Sequence, residues 1–75
     1  MQITLETGRW AARYIEERTA SINLPEGATV ADIVVSSGIP TDEAGIASIG
    51  GNAVSRDYRL SDGDVVKLFP VIVGG

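Results

Sequence analysis

Leu24-Pro25-Glu26-Gly27-Ala28-Thr29-Val30-Ala31-Asp32-Ile33-Val34-Val35-Ser36-Ser37-Gly38-Ile39-Pro40 is the stretch on which the fold turns. By composition it reads as a strand, because Val30, Ile33, Val34 and Val35 are β-branched and poor helix formers. Its punctuation says otherwise. Pro25-Glu26-Gly27 is a turn, and Thr29 is placed to cap a helix, its hydroxyl accepting from an unpaired N–H of the first turn. Asp32, three residues on, makes a capping box with a short acid and suits the positive end of the helix dipole. Val30, Ile33 and Val34 fall at i, i+3 and i+4, which makes one apolar stripe. Gly38 is a natural helix stop and Pro40 bars continuation. The reading is a short helix, and with it a sheet covered by one helix instead of an all-β chain.

Outward from this helix the pattern is extended. Residues 1–7 alternate, with Met1, Ile3 and Leu5 on one face and Gln2, Thr4 and Glu6 on the other. Gly8 breaks this strand. Residues 9–16 allow a short helical turn or a compact loop, with Ala11, Tyr14 and Ile15 at helical spacing. Residues 17–24 alternate again, with Ala20, Ile22 and Leu24 inward, antiparallel to the first strand. After the helix, Asp42-Glu43-Ala44 is a polar connection and Gly45–Ile49 a third strand. Gly50-Gly51-Asn52 is a tight turn whose glycines and asparagine supply positive φ. Ala53–Ser55 returns as a brief strand. Arg56–Leu60 is irregular, with Tyr58 and Leu60 as inward anchors, and Ser61–Asp64 is a turn. Val65–Phe69 is the last strand, with Pro70 ending its pairing. The order is that of an α+β domain of two layers, a small mixed sheet on one main helix. The first and last strands are expected side by side in the sheet centre.

Composition narrows the chemistry. At 75 residues the chain holds one domain with a small core. It has no cysteine and no histidine. Disulfides, thiol nucleophiles, Cys-based zinc sites and the commonest general base are thereby excluded. The net charge is −4, and the bases Arg9, Arg13, Arg18, Arg56, Arg59 and Lys67 form no stripe of the kind nucleic acid requires. Trp10 and Tyr14 lie among three arginines, but Glu16 and Glu17 dilute that stretch. The acidic surface suits a protein partner with a basic dock. No run approaches a membrane span and the start lacks a signal-peptide pattern, so cytoplasm is the expected compartment. Asp62 and Asp64 alternate as in a calcium loop, but no Glu follows, and a structural turn is the better reading. Gly45, Gly50 and Gly51 match no phosphate-loop spacing.

The chain finishes Phe69-Pro70-Val71-Ile72-Val73-Gly74-Gly75. Gly-Gly offers only backbone and a carboxylate, so by itself it reads either as a disordered end or as a chemical handle or thread for a narrow site. If Val66 and Leu68 face the helix, alternation exposes Val65, Lys67 and Phe69. Phe69 beside Pro70, Val71, Ile72 and Val73 is then an apolar patch of the kind that marks interaction sites.

Three pieces together resemble the ThiS/MoaD group of ubiquitin-like sulfur carriers. They are the strand-to-helix junction Leu24–Val30, the turn Asp62-Gly63-Asp64-Val65-Val66, and the tail Phe69–Gly75. Phe69-Pro70 resembles the small subunit of molybdopterin synthase more than the thiamin-thiazole carrier. The tip Ile49-Gly50-Gly51-Asn52 and Trp10 depart from the pattern. Ser37-Gly38-Ile39-Pro40 and Asp57-Tyr58-Arg59-Leu60 resemble a MoaD-like branch.

The resemblance implies a β-grasp domain over residues 1–69 and a flexible tail over 70–75. It implies a carrier instead of an enzyme, a monomer when free, with no cofactor or metal of its own. Gly75 would be adenylated by an E1-like adenylyltransferase of the ThiF/MoeB kind using ATP and Mg²⁺, then converted to a thiocarboxylate by a persulfide donor. The acceptor would be a large synthase subunit or another sulfur acceptor in molybdenum- or tungsten-cofactor assembly. Gly74 and Gly75 would thread the partner's channel, while Phe69, Pro70, Val71, Ile72 and Val73 bind it. The same activated end would also serve a protein modifier joined to target lysines, or a thiamin or thiolation carrier. A non-covalent ubiquitin-like module is the further alternative.

Overall fold

The computed structural model describes residues 1–72. Five strands, β1 (Gln2–Glu6), β2 (Thr19–Asn23), β3 (Ala44–Ile49), β4 (Asn52–Val54) and β5 (Val65–Pro70), and one α-helix, α1 (Val30–Ser37), make up the regular structure, with a 3₁₀ turn at Arg9–Ala11. The sheet order is β2-β1-β5-β3-β4. β1 runs parallel to β5 and all other neighbours are antiparallel. The first and last strands therefore meet in the sheet centre, as expected, and the arrangement is the β-grasp.

The helix forms where its caps say it should. Thr29 Oγ1 accepts from Asp32 N at 3.4 Å and Asp32 Oδ2 accepts from Thr29 N at 2.8 Å, the reciprocal pair of a capping box. Gly38 ends the helix at φ 82°, a left-handed conformation that glycine adopts without strain. Val30, Ile33 and Val34 are buried against the face of the sheet that carries Ile3 and Leu5 of β1 and Val66 and Leu68 of β5. Tertiary burial of the stripe overrides the weak helix propensity of these residues. Ser37 is also buried. Its hydroxyl donates to Val34 O at 2.6 Å and accepts from Ile39 N at 3.1 Å, which carries the chain off the helix without a lost hydrogen bond.

Several expectations are corrected. Ala44 is not in a polar connection; it opens β3 and is buried. Asn52 takes no positive φ. Gly50 (φ 60°) and Gly51 (φ 83°) alone make the two-residue turn, with Asn52 already paired to Ile49. Tyr58 is exposed. It follows a turn at 56–57, so the period of two that buries Leu60 does not reach back to it. Its carbonyl instead accepts from Val30 N at the helix start. Pro70 does not end pairing: it lies opposite Ala44, and Val71 N donates to Glu43 O at 3.1 Å. With Val71 N aimed at β3, alternation turns position 70 the other way, toward the side where β1 has stopped at Glu6. A missing N–H is tolerated there.

Ser61–Asp64 is a structural turn. Asp62 Oδ1 accepts from Gln2 N at 2.7 Å and Asp64 Oδ2 from Ser61 N at 2.8 Å, so backbone donors occupy both carboxylates. No helix among the described residues is long and apolar enough to cross a membrane.

Candidate functional site

β5 is the element that builds the site. Its burial alternates strictly, Val66 and Leu68 under the helix and Val65, Lys67 and Phe69 on the opposite, uncovered face. This is the exposure the sequence predicted for Phe69. The strand then runs on, paired with β3, until Val71 and Ile72 stand out from the sheet. Phe69 and Val71 are each a little under half exposed and Ile72 is 85% exposed.

The structure brings in three residues that sequence reasoning did not assign to the patch. Ile46 of β3 is 63% exposed and, with Gly45, lines a shallow apolar hollow against Phe69, Pro70, Val71 and Ile72. The cause is a bulge. Ala44 pairs with Pro70 and Ala47 with Leu68, so three steps on β3 match two on β5. Ala44 and Ala47 would face opposite ways in a regular strand, yet both are buried. The extra residue reconciles them and leaves Ile46 outside. A glycine inside a strand pattern was the available signal.

Trp10 is the third. The 3₁₀ turn sets it beside β5, past the end of β1. It lines one hollow with Asp42, Glu43, Pro70 and Val71 and another with Leu68, Phe69 and Pro70. The turn is anchored from below by buried Ala11 and sideways by Tyr14, whose hydroxyl donates to Glu43 Oε2. Glu43 thus holds the 3₁₀ turn with its side chain and Val71 with its carbonyl.

Among the described residues no three of Asp and Glu converge as metal ligands would. What the site offers is an extended strand end with an apolar wall on one side and an acidic rim at Asp42 and Glu43. Of the residues predicted for the tail, Phe69, Pro70, Val71 and Ile72 are together at this end. Val73, Gly74 and Gly75 lie outside the described residues.

The fold has close relatives in shape. SAMP1 from Haloferax volcanii is 21% identical over 100% of both chains, with a TM-score of 0.74. A second crystal structure of this small archaeal modifier protein is 20% identical over 95% of this chain and 98% of its own, with a TM-score of 0.75. A Pyrococcus furiosus structure named as molybdopterin converting factor, subunit 1 is 23% identical over 96% and 99%, with a TM-score of 0.77. The ubiquitin-like resemblance carried by Leu24–Val30, Asp62–Val66 and the tail therefore holds at the level of fold. The model of the Mut7-C ubiquitin family matches residues 8–73, and the chain belongs to that family.

Proposed function

We propose that this chain is a ubiquitin-like sulfur carrier whose Gly75 carboxylate is activated by an E1-like enzyme. The observation that carries the reading is the end of β5. An extended segment leaves the sheet with its apolar residues exposed, and only Val73 separates the last of them from Gly74-Gly75.

A carboxylate is a poor electrophile. In the proposed reaction an oxygen of Gly75 attacks the α-phosphate of ATP and pyrophosphate leaves, with Mg²⁺ held by the partner enzyme. The terminal sulfur of a protein persulfide then attacks the acyl carbon and AMP leaves. That attack forms a carbon–sulfur bond and leaves an acyl persulfide. A thiol then attacks the donor-side sulfur of the persulfide's own sulfur–sulfur bond, forming a disulfide with the donor and releasing the chain as a thiocarboxylate. Gly74 and Gly75 have no Cβ to obstruct a narrow channel. Six residues from Pro70 reach at most about 20 Å when extended, enough to enter a buried site. The chain has no cysteine, so all the sulfur chemistry comes from its partners. A synthase subunit of cofactor assembly is the proposed acceptor.

The full-length match in fold to a protein named as a modifier favours a second reading, in which the same acyl-adenylate ends as an isopeptide bond to a lysine. Mass separates the two: a thiocarboxylate exchanges one oxygen for sulfur, and a conjugate adds a whole protein.

The first test is removal of Gly75. The shortened chain is expected to keep its thermal midpoint and to lose ATP-dependent adenylation by an E1-like enzyme that activates the full chain. Normal adenylation of the shortened chain would defeat the proposal.

A further inference from the structure

We infer that Gly45 and Arg56 are positioning residues that fix the direction in which the chain leaves β5, and so where its end is delivered. The consequence rests on the carrier reading above; the geometry does not.

Gly45 is where β3 and β5 come closest. A Cβ built there would lie 2.6 Å from the carbonyl oxygen of Pro70, 2.8 Å from its carbon and 3.0 Å from the Phe69 oxygen. These are backbone atoms and cannot swing aside as a side chain would. The Gly45 backbone does not need a positive φ, so the demand is for space alone. Any other residue pushes the end of β5 off the sheet.

Arg56 holds the other side of the same bulge. Its Nη2 donates to the carbonyls of Ala44 and Gly45, the latter at 3.1 Å. In a regular strand successive carbonyls point opposite ways. One guanidinium nitrogen joining two of them stabilises the bulged form specifically. The clamp has a rigid base, because the Arg56 carbonyl accepts from Ala31 N at 2.9 Å in the first turn of α1. Among the described residues Arg56 Nη1 is enclosed without a hydrogen-bond partner, a desolvation cost set against the two bonds made by Nη2.

Past the clamp, Val71 N still bonds Glu43 O at 3.1 Å. Loss of the bulge lets the β3–β5 register slip, and a one-residue slip turns Phe69 and Val71 to the other face. Over a reach of up to about 20 Å for six extended residues, a modest rotation at Pro70 becomes several ångströms at the end. Such an end is aimed correctly only part of the time, and apparent affinity falls by that fraction.

The test uses the full chain in two variants, Gly45→Ala, which adds the clash, and Arg56→Met, which keeps the stem and removes the donors. Amide hydrogen exchange reads the clamp directly. Val71 is expected to exchange about tenfold faster in each variant, with Ile33 and Val66 unchanged. With an activating enzyme, KM for the carrier is expected to rise about tenfold with kcat unchanged. Arg56→Lys, which keeps a donor, is expected to fall between wild type and Arg56→Met. Unchanged Val71 exchange in Arg56→Met overturns the inference, as does a loss of protection shared equally by Ile33 and Val66. Faster Val71 exchange with unaltered KM overturns the positioning role. If Gly45→Ala does not fold, Arg56→Met decides alone. If no E1-like enzyme adenylates wild type, the carrier reading fails while the exchange result still judges the clamp.

Discussion

Ser55 and Asp57 show how a single hydroxyl shapes the connection that leaves β4. The Ser55 hydroxyl donates to Asp57 Oδ1. This bond first, and the Asp57 backbone N–H second, hold the carboxyl below the ordinary aspartate value. The folded pKa is thus depressed relative to the unfolded one. The associated stability is present above the unfolded pKa and is lost as pH falls through the folded one, on the acid side of about pH 4. Asp57 is fully exposed, so the effect on stability is small and the titration itself is the sensitive readout. Ser55→Ala is expected to move the Asp57 carboxyl back up toward its ordinary value, followed by carbon-detected NMR titration. Any stability difference from wild type should shrink as the solution is acidified below that range. An unshifted Asp57 would mean the hydroxyl bond does not persist in water.

At the scale of elements, α1 and the β3–β4 hairpin mark what the sequence makes legible and what it hides. The helix was readable despite four β-branched residues because its ends carry local chemistry: Thr29 and Asp32 form the capping box and Gly38 turns left-handed. β1 and β5 were readable because apolar and polar residues alternate along them. β3 was only half readable. In Ala44-Gly45-Ile46-Ala47 the small residues give no alternation, so neither the bulge nor the exposure of Ile46 shows in one dimension. The buried pair Ala44 and Ala47 becomes visible only once β5 supplies the register. Trp10 was likewise hidden, because its neighbours at Phe69 and Pro70 are about sixty residues away in the chain. The hairpin tip leads to a prediction of its own. Gly50 sits at φ 60°, and a Cβ there would meet nothing within 4 Å. Asparagine tolerates this conformation and Asn-Gly is the preferred two-residue turn. Gly50→Asn should therefore stabilise the chain by about 0.4–1 kcal/mol, chiefly by restricting the unfolded state. Denaturant unfolding with an unchanged slope would show it, and a fall in the midpoint would mean the asparagine strains the turn.

For the molecule as a whole, one sheet serves two purposes on its two faces. The face under α1 carries the apolar packing of the domain, and the opposite face carries Val65, Lys67, Phe69 and Ile46 into solvent. A chain of this length has a total stability of only about 4–11 kcal/mol, so no core position is dispensable. Leu68 and Phe69 are adjacent in sequence and stand on opposite faces, Leu68 being 2% exposed and Phe69 44%. Leu68→Ala removes buried carbon and leaves a cavity, and is expected to cost about 2–5 kcal/mol, a large share of that total. Phe69→Ala empties no core space and is expected to cost under about 1 kcal/mol. Its loss should appear in binding, because an aromatic at the centre of an apolar patch is the kind of residue that dominates an interface. There a weakening of about tenfold or more in Kd for the proposed E1-like partner is expected. Thermal unfolding and a binding titration on the same two variants make the comparison. If Phe69→Ala lowers stability as much as Leu68→Ala and leaves Kd untouched, the uncovered face is a structural surface and the docking role proposed for it fails.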